Sequence, residues 1–264
     1  MKKILKGKKI LITGASNGIG MYLAIHVAGQ GGEPILVSRS INKLRVIKDM
    51  IERKYDVPVH CYEADLSDDK MWKDVLQTIY TERGSLDALI NNAGIGKFDA
   101  VNESNWNDIN QMISVNIRAA FRSTYETLPY LIEQRRGHII NIGSQSGKMA
   151  TPKSAVYSAT KHAIIGFSNA LRMEAEPYGV YVTTVNLGPV KTNFFQYADP
   201  TGKYEKAVQK IMLHPNRVAR AIVQTLFIPK REINRPVWMD LGSKCYQLYP
   251  SLFETLLRSQ FNKK

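Results

Sequence analysis

The stretch from Lys9 to Ala28 constrains what this chain can fold into more tightly than any other. Lys9-Ile10-Leu11-Ile12 is a short apolar run that reads as a β-strand. Thr13-Gly14-Ala15-Ser16-Asn17-Gly18-Ile19-Gly20 follows it, and Met21-Tyr22-Leu23-Ala24-Ile25-His26-Val27-Ala28 then reads as a helix that stops at Gly31-Gly32. A glycine turn between strand and helix lets the backbone approach a pyrophosphate. The helix start offers it free N–H groups and the positive end of the helix dipole. An ordinary glycine-rich turn has the same composition, but the strand–turn–helix context favours the phosphate-binding reading.

Beyond this unit, apolar strand-like runs alternate with helical patterns, which argues for a parallel sheet with helices on both faces. The expected strands are Lys9–Thr13, Pro34–Ser38, Val57–Glu63, Leu86–Asn91, His138–Ile142, Tyr181–Asn186 and Arg235–Met239. No repeat, low-complexity stretch or linker interrupts the series, so residues 1–264 are expected to form one α/β domain. Ligands of such sheets bind across the carboxyl ends of the strands. The least regular segment, 190–215, holds Phe194, Phe195, Tyr197, Met212 and Leu213. A long excursion after a strand's carboxyl end suits a substrate-covering loop, and a packed surface loop is the alternative.

Tyr157 and Lys161, in Tyr157-Ser158-Ala159-Thr160-Lys161, stand one helical turn apart on one face. An ammonium held beside a phenol favours the phenolate and lowers its pKa, which makes tyrosine a usable acid or base. A solvated helix face would look the same if the pair stood alone.

Taken in order, Gly-x-x-x-Gly-x-Gly in the first turn, Asn91-Asn92-Ala93-Gly94 after the fourth strand, and Tyr157 with Lys161 resemble the short-chain dehydrogenase/reductase family from about Lys8 to about Pro236. The resemblance implies a Rossmann-type, doubly wound, parallel seven-stranded sheet and an oxidoreductase that moves a hydride between a nicotinamide cofactor and a carbonyl or alcohol. It implies a catalytic set of Asn116, Ser144, Tyr157 and Lys161. Ser144 lies thirteen residues before Tyr157, the family separation, with Ser146 as competitor. In the implied mechanism Ser144 polarises the carbonyl and Tyr157 protonates the forming alkoxide. Lys161 lowers the Tyr157 pKa and holds the nicotinamide ribose, and Asn116 holds a water in the proton relay.

The same resemblance assigns cofactor contacts to Gly14, Ser16, Asn17, Gly18, Ile19 and Gly20 in the first turn. It adds Ser38, Arg39, Lys43, Asp65, Leu66, Asn92, Ala93, Gly94, Val190 and Thr192. Ser38 stands where NAD-dependent members carry Asp, and Arg39 follows it. A guanidinium suits a ribose 2′-phosphate, so NADP(H) is the expected cofactor, although Asn17 replaces a basic residue common in NADP-dependent relatives. Asp65 is assigned to the adenine amino group, or alternatively to capping the next helix, a task Ser67 could also perform. Leu187 replaces the usual proline in Asn186-Leu187-Gly188-Pro189-Val190-Lys191-Thr192, which is expected to loosen the local backbone. A homodimer or homotetramer through the helix from Ser154 to Glu176 is implied too, with Ala155, Ala159, Ala163, Phe167, Ala170 and Leu171 offering the surface.

Charge and cysteine content bound the remaining readings. The chain has 264 residues and a net charge of +13. Twelve Lys or Arg against four Asp or Glu lie from Thr201 onward, and Lys2, Lys3, Lys6, Lys8 and Lys9 add five at the start. Such an excess can favour nucleic acid, anionic lipid or acidic substrates. No nucleic-acid module is recognisable, and a basic soluble surface accounts for the charge. The early lysines also argue against a signal peptide. Cys61 and Cys245 are far apart with no metal-ligand spacing, which points to reduced thiols in a cytoplasmic protein and to no metal. In the C-terminal tail, 241–264, Leu252, Phe253, Leu256 and Leu257 share a helical stripe. Core or dimer packing explains it at least as well as a peripheral membrane contact with lipid-type substrates. A non-catalytic NADPH-binding regulatory protein is the other competing reading, and the complete catalytic set argues against it.

Overall fold

The computed structural model describes residues 4–256. Seven strands form one parallel sheet in the order β3-β2-β1-β4-β5-β6-β7. They are β1 (Lys9–Thr13), β2 (Glu33–Ser38), β3 (His60–Glu63), β4 (Ala88–Asn91), β5 (Gly137–Ile142), β6 (Val180–Leu187) and β7 (Glu232–Arg235). The chain moves outward from β1 to β3, returns to the centre as β4, and moves outward again. The crevice between the ends of β1 and β4 is therefore the topological switch point.

The near-continuous apolar strands are explained by two cores, one on each face of the sheet. Ile10, Ile12, Leu36, Ile90, Ile140 and Val185 face one core with α1 (Gly18–Gly29), α2 (Ile41–Tyr55) and α9 (Pro215–Val223). Leu11, Ile35, Val37, Leu89, Ile139 and Val182 face the other, with α3 (Asp69–Arg83), α5 (Ala119–Glu133) and α6 (Ala155–Ala175). Period-two alternation thus divides each strand between the cores. Three shorter helices are α4 (Trp106–Ile113), α7 (Phe194–Ala198) and α8 (Lys203–Val208).

Three sequence expectations need correction here. The seventh strand is Glu232–Arg235 rather than Arg235–Met239. Pro236, which has no N–H to donate to a ladder, caps the next helix, α10 (Val237–Leu248). The apolar run Val237-Trp238-Met239 is consequently helical, with Val237 and Trp238 exposed. Leu171 does not lie on an outer face of α6. It continues the buried stripe Ile164, Ser168, Leu171 and Ala175, whereas Ala155, Ala159 and Ala170 are exposed. The C-terminal stripe is not core-packed, because Leu252 and Leu256 on α11 (Pro250–Leu256) are exposed. Leu257, the rest of the tail, Lys2 and Lys3 lie outside the described residues. Among the described residues no helix is long and apolar enough to cross a membrane.

His138 on β5 is fully buried, and its ring is used on both sides. Nδ1 accepts the Phe227 N–H at 2.9 Å, and Nε2 lies 2.9 Å from Thr183 Oγ1. The Thr183 hydroxyl donates onward to the Lys230 carbonyl, so Nε2 carries the proton and the ring is neutral. Burial pushes the His138 pKa down to about 3. The folded pKa is depressed, so the contribution to stability is complete above the unfolded value near 6.5 and is lost as pH falls toward 3. His138→Gln should flatten the pH dependence of unfolding free energy below pH 6, by up to about 1.4 kcal/mol per pH unit. Urea unfolding at a series of pH values measures the slope, which a uniform loss of stability would not change.

Candidate active site

The glycine turn is built as the sequence implies. Gly14 has φ +66°, and a Cβ there would lie 2.8 Å from Ala93 Cα. A Cβ on Gly20 would collide with the Gly14 carbonyl. These two positions leave no room for a side chain, and they bring β1 and the loop after β4 together. Asn92 fastens that junction. Its Nδ2 donates to the Thr13 and Gly14 carbonyls at 2.9 and 3.2 Å, and Thr13 Oγ1 accepts the N–H groups of Asn92 and Ala93, both at 3.0 Å. Asn17 caps α1 through its backbone, with no side-chain capping bond. Ser16 and Gly18 are half-buried, and Ile19 packs against the core.

At the ends of β2 and β3 the structure brings Ser38, Arg39 and Asp65 together. Ser38 is buried and accepts the Ser40 N–H at 3.2 Å. Arg39 is exposed, and its charge helps hold the Asp65 carboxyl below its usual range. Burial opposes that shift, while the Ser67 hydroxyl and N–H bonded to Asp65 Oδ1 at 2.7 and 2.9 Å support it. Neither Asp65 nor Ser67 caps α3. Asp68 does, accepting the Met71 N–H at 2.9 Å. Leu66 turns its side chain into the core, which leaves only its backbone for a ligand. Lys43 is exposed in the first turn of α2.

Ser144 ends the β5 segment, and Tyr157 and Lys161 come from the first two turns of α6. The Ser144 hydroxyl acts on the Tyr157 phenol, accepts the Ser146 N–H at 3.1 Å and donates to the Leu187 carbonyl at 3.4 Å. Ser146 itself is not part of this contact. Lys161 Nζ donates to the Ile142 carbonyl at 2.9 Å and sits 5.8 Å from the Tyr157 ring centroid.

The electrostatics differ from the sequence expectation. Burial pushes the Tyr157 phenol up to about 12; the Ser144 hydrogen bond opposes this and the nearby Tyr204 adds to it. Burial also pushes Lys161 down to about 8. A lysine depressed to about 8 stays largely charged at neutral pH, but it is committed to the Ile142 carbonyl, and the influences on the Tyr157 phenol are burial, Ser144 and Tyr204.

Asn116 lies in a π-helical turn, Ser114–Arg118, between α4 and α5. Such turns are frequent at functional sites. Its Oδ1 accepts the Ile95 N–H at 2.8 Å, and its Nδ2 donates to the Ile95 carbonyl at 2.9 Å and to Thr160 Oγ1 at 3.0 Å. The side chain thus clamps the loop after Gly94 onto α6. A Cβ on Gly94 would lie 3.4 Å from both Asn116 Oδ1 and Lys161 Nζ, so the missing side chain leaves Lys161 approachable from the switch-point crevice. A turn too tight for side chains, a bare glycine before the lysine and a cation at the end of β2 are the features a phosphorylated dinucleotide needs along this crevice.

Leu187 does not loosen the chain. It is buried, extends β6 opposite Arg235, and is followed by Gly188, whose N–H donates to the Arg235 carbonyl at 2.7 Å. The segment from 190 to 215 carries α7 and α8 and closes at its neck, where Leu213 N donates to the Pro189 carbonyl at 2.8 Å and Lys191 N to the Leu213 carbonyl at 3.0 Å. Val190 pairs with Leu213 across that neck, and Thr192 Oγ1 accepts the Phe194 N–H at 3.3 Å. The methyl of Thr192 reaches toward Gly18, 3.1 Å from where a Cβ would stand.

Sequence reasoning missed a buried ionic cluster behind Ser144. Lys148 Nζ bonds Glu232 Oε2 at 2.6 Å, Asp240 Oδ1 at 2.9 Å and Asn234 Oδ1 at 3.1 Å. It ties the turn after Ser144 to β7 and α10. No local pattern announces it, because Lys148 is more than eighty residues away from its partners in sequence. Lys148→Met would leave Glu232 without its lysine and Asp240 paired to Lys244 alone, which bonds its Oδ2 at 2.9 Å. The loss should be about 1–3 kcal/mol, less than for a fully buried pair because both carboxylates keep some solvent contact. Urea denaturation checks this, and Glu232→Gln in the same chain should recover part of the loss.

Comparison with known proteins agrees with this geometry. The short chain dehydrogenase family profile matches residues 8–202. An NADP-dependent 3-hydroxy acid dehydrogenase of Schizosaccharomyces pombe is 35% identical over 192 residues, covering 72% of this chain and 74% of that protein. An uncharacterized oxidoreductase of Staphylococcus epidermidis is 33% identical over 225 residues, covering 85% of this chain and 93% of its own. A short-chain dehydrogenase from Sphingobium yanoikuyae in complex with NADPH superposes with a TM-score of 0.80 at 25% identity, covering 92% of this chain and 96% of that one.

Proposed function

The chain belongs to the short-chain dehydrogenase family, and from that premise we propose that it is an NADP(H)-dependent reductase of ketones or aldehydes, or of the corresponding alcohols in reverse. The observation that carries this reading is the convergence of Ser144, Tyr157 and Lys161 at the carboxyl end of β5. It is supported by Arg39 at the end of β2 and by the NADP-dependent relative and NADPH-bound neighbour.

The chemistry the cofactor supplies when bound is hydride transfer to or from a carbonyl carbon. The Gly14–Gly20 turn and the start of α1 would hold its pyrophosphate, Asp65 its adenine, and Ser38 with Arg39 its ribose phosphate. Lys161, reached past Gly94, would hold the nicotinamide ribose, and Val190 and Thr192 the carboxamide. Ser144 donates to the substrate oxygen, and Tyr157 gives it a proton. With its phenol held near 12, Tyr157 enters each turnover protonated at neutral pH, which suits an acid in the reductive direction. Asn116 acts by positioning, since its clamp on Ile95 and Thr160 fixes the loop beside the lysine.

Cofactor preference tests the Arg39 assignment. A charge-assisted bond to the 2′-phosphate is worth about 1.5–3 kcal/mol, and the exposure of Arg39 argues for the lower end, about tenfold. Dissociation constants for NADPH and NADH, taken before and after Arg39→Ala, should show the ratio falling toward one. Equal affinities in the parent protein would refute the preference, and an unchanged ratio in the variant would remove Arg39 from the site.

A further inference from the structure

Four aromatic rings gather over Tyr157. Phe98 meets it edge-on at 5.8 Å between centroids, and Phe194 tilts against it at 5.6 Å. Phe98 also meets Tyr204 at 5.3 Å, and Phe195 packs on both Phe194 and Tyr204. This wall is braced from behind. The Phe194 ring occupies the space that a side chain on Gly96 would fill, and Phe98 N donates to the Ala198 carbonyl at 2.9 Å. A carbonyl that reaches Ser144 and Tyr157 must lay its substituents against these rings.

The Asp199 carboxylate acts on Tyr204, adding to the effect of burial on that phenol. Two lysines near the chemistry are already committed, Lys161 to the Ile142 carbonyl and Lys148 to Glu232, Asp240 and Asn234. A substrate carboxylate placed here would be desolvated beside another anion, which is costly without a partner. Flat apolar groups, by contrast, gain area burial and favourable edge-to-face contacts.

Resting on the reductase reading above, we propose that the site selects neutral carbonyl compounds bearing an aryl or similarly flat apolar group, and rejects oxo acids. This separates the chain from its 3-hydroxy acid dehydrogenase relative.

Three probes isolate the two terms: ethyl benzoylformate (aryl, neutral), benzoylformate (aryl, anionic) and ethyl pyruvate (methyl, neutral). With NADPH, kcat/KM should be highest for ethyl benzoylformate. The ratio should be at least about tenfold over ethyl pyruvate and about thirtyfold over benzoylformate. Phe98→Leu and Phe194→Leu keep apolar volume but remove the ring face. They should lower kcat/KM for the aryl ester by about five- to tenfold more than for ethyl pyruvate, whose loss reports only the shared effect on Tyr157. Dissociation constants of the same probes, measured by calorimetry on the protein saturated with NADP+, should follow the same order. Benzoylformate equal to its ester, or both neutral esters falling alike in the Phe variants, overturns the proposal. If no probe turns over, the reductase reading fails, while the calorimetric order still decides the selectivity.

Discussion

A short chain of buried amide and hydroxyl bonds fixes α6 against the middle of the sheet, and the placement of the chemistry depends on it. Asn91 Nδ2 donates to Asn141 Oδ1 at 2.8 Å, Asn141 Nδ2 to Ser168 Oγ at 2.8 Å, and Ser168 Oγ to the Ile164 carbonyl at 2.7 Å. These links join β4, β5 and α6 in a region without solvent, where unmade polar bonds are costly and made ones specify one arrangement. The two turns of α6 that precede Ile164 carry Tyr157 and Lys161. Once the helix is docked, Lys161 reaches the last carbonyl of β5, and Tyr157 meets Ser144 just beyond it.

Burial then decides the protonation states. It works in opposite senses on the two groups, raising the phenol and depressing the ammonium, so at neutral pH the phenol keeps its proton while the lysine, near 8, stays largely charged. The tyrosine is thereby held protonated, as the donor role proposed for it requires, and Ser144 is the local influence that favours its anion. The aromatic wall contributes to this burial, which links the packing of the segment from 190 to 215 to the state of Tyr157.

Much of this was legible in the sequence, for identifiable reasons. Periodicity and glycine placement work over short spans, so β1, its turn and α1 were found within a few residues. The Tyr157–Lys161 pair was found because one helical turn is a fixed distance. The misplaced seventh strand shows the limit: Arg235-Pro236-Val237-Trp238-Met239 has the composition of a strand, and only the helix that follows Pro236 distinguishes it. Leu171 was misassigned because small and apolar residues occur all round α6, and the sheet selects the buried stripe. The Lys148 cluster and the aromatic wall were illegible because each joins segments far apart in sequence. Aromatic residues at 194–204 could be seen, but not that Phe98 completes their wall. The lysine's effect on the tyrosine could not be read either, since it depends on how deeply both are buried.

The central claim is that Tyr157 supplies the proton while contributing little to holding the cofactor. Single-turnover reduction by Tyr157→Phe, with NADPH affinity measured on the same preparation, tests it directly. The account predicts NADPH affinity within about threefold of the parent and a reduction rate lower by at least about a thousandfold, in keeping with loss of a general acid of this kind. A variant that binds NADPH and reduces substrate at a near-parental rate would contradict it.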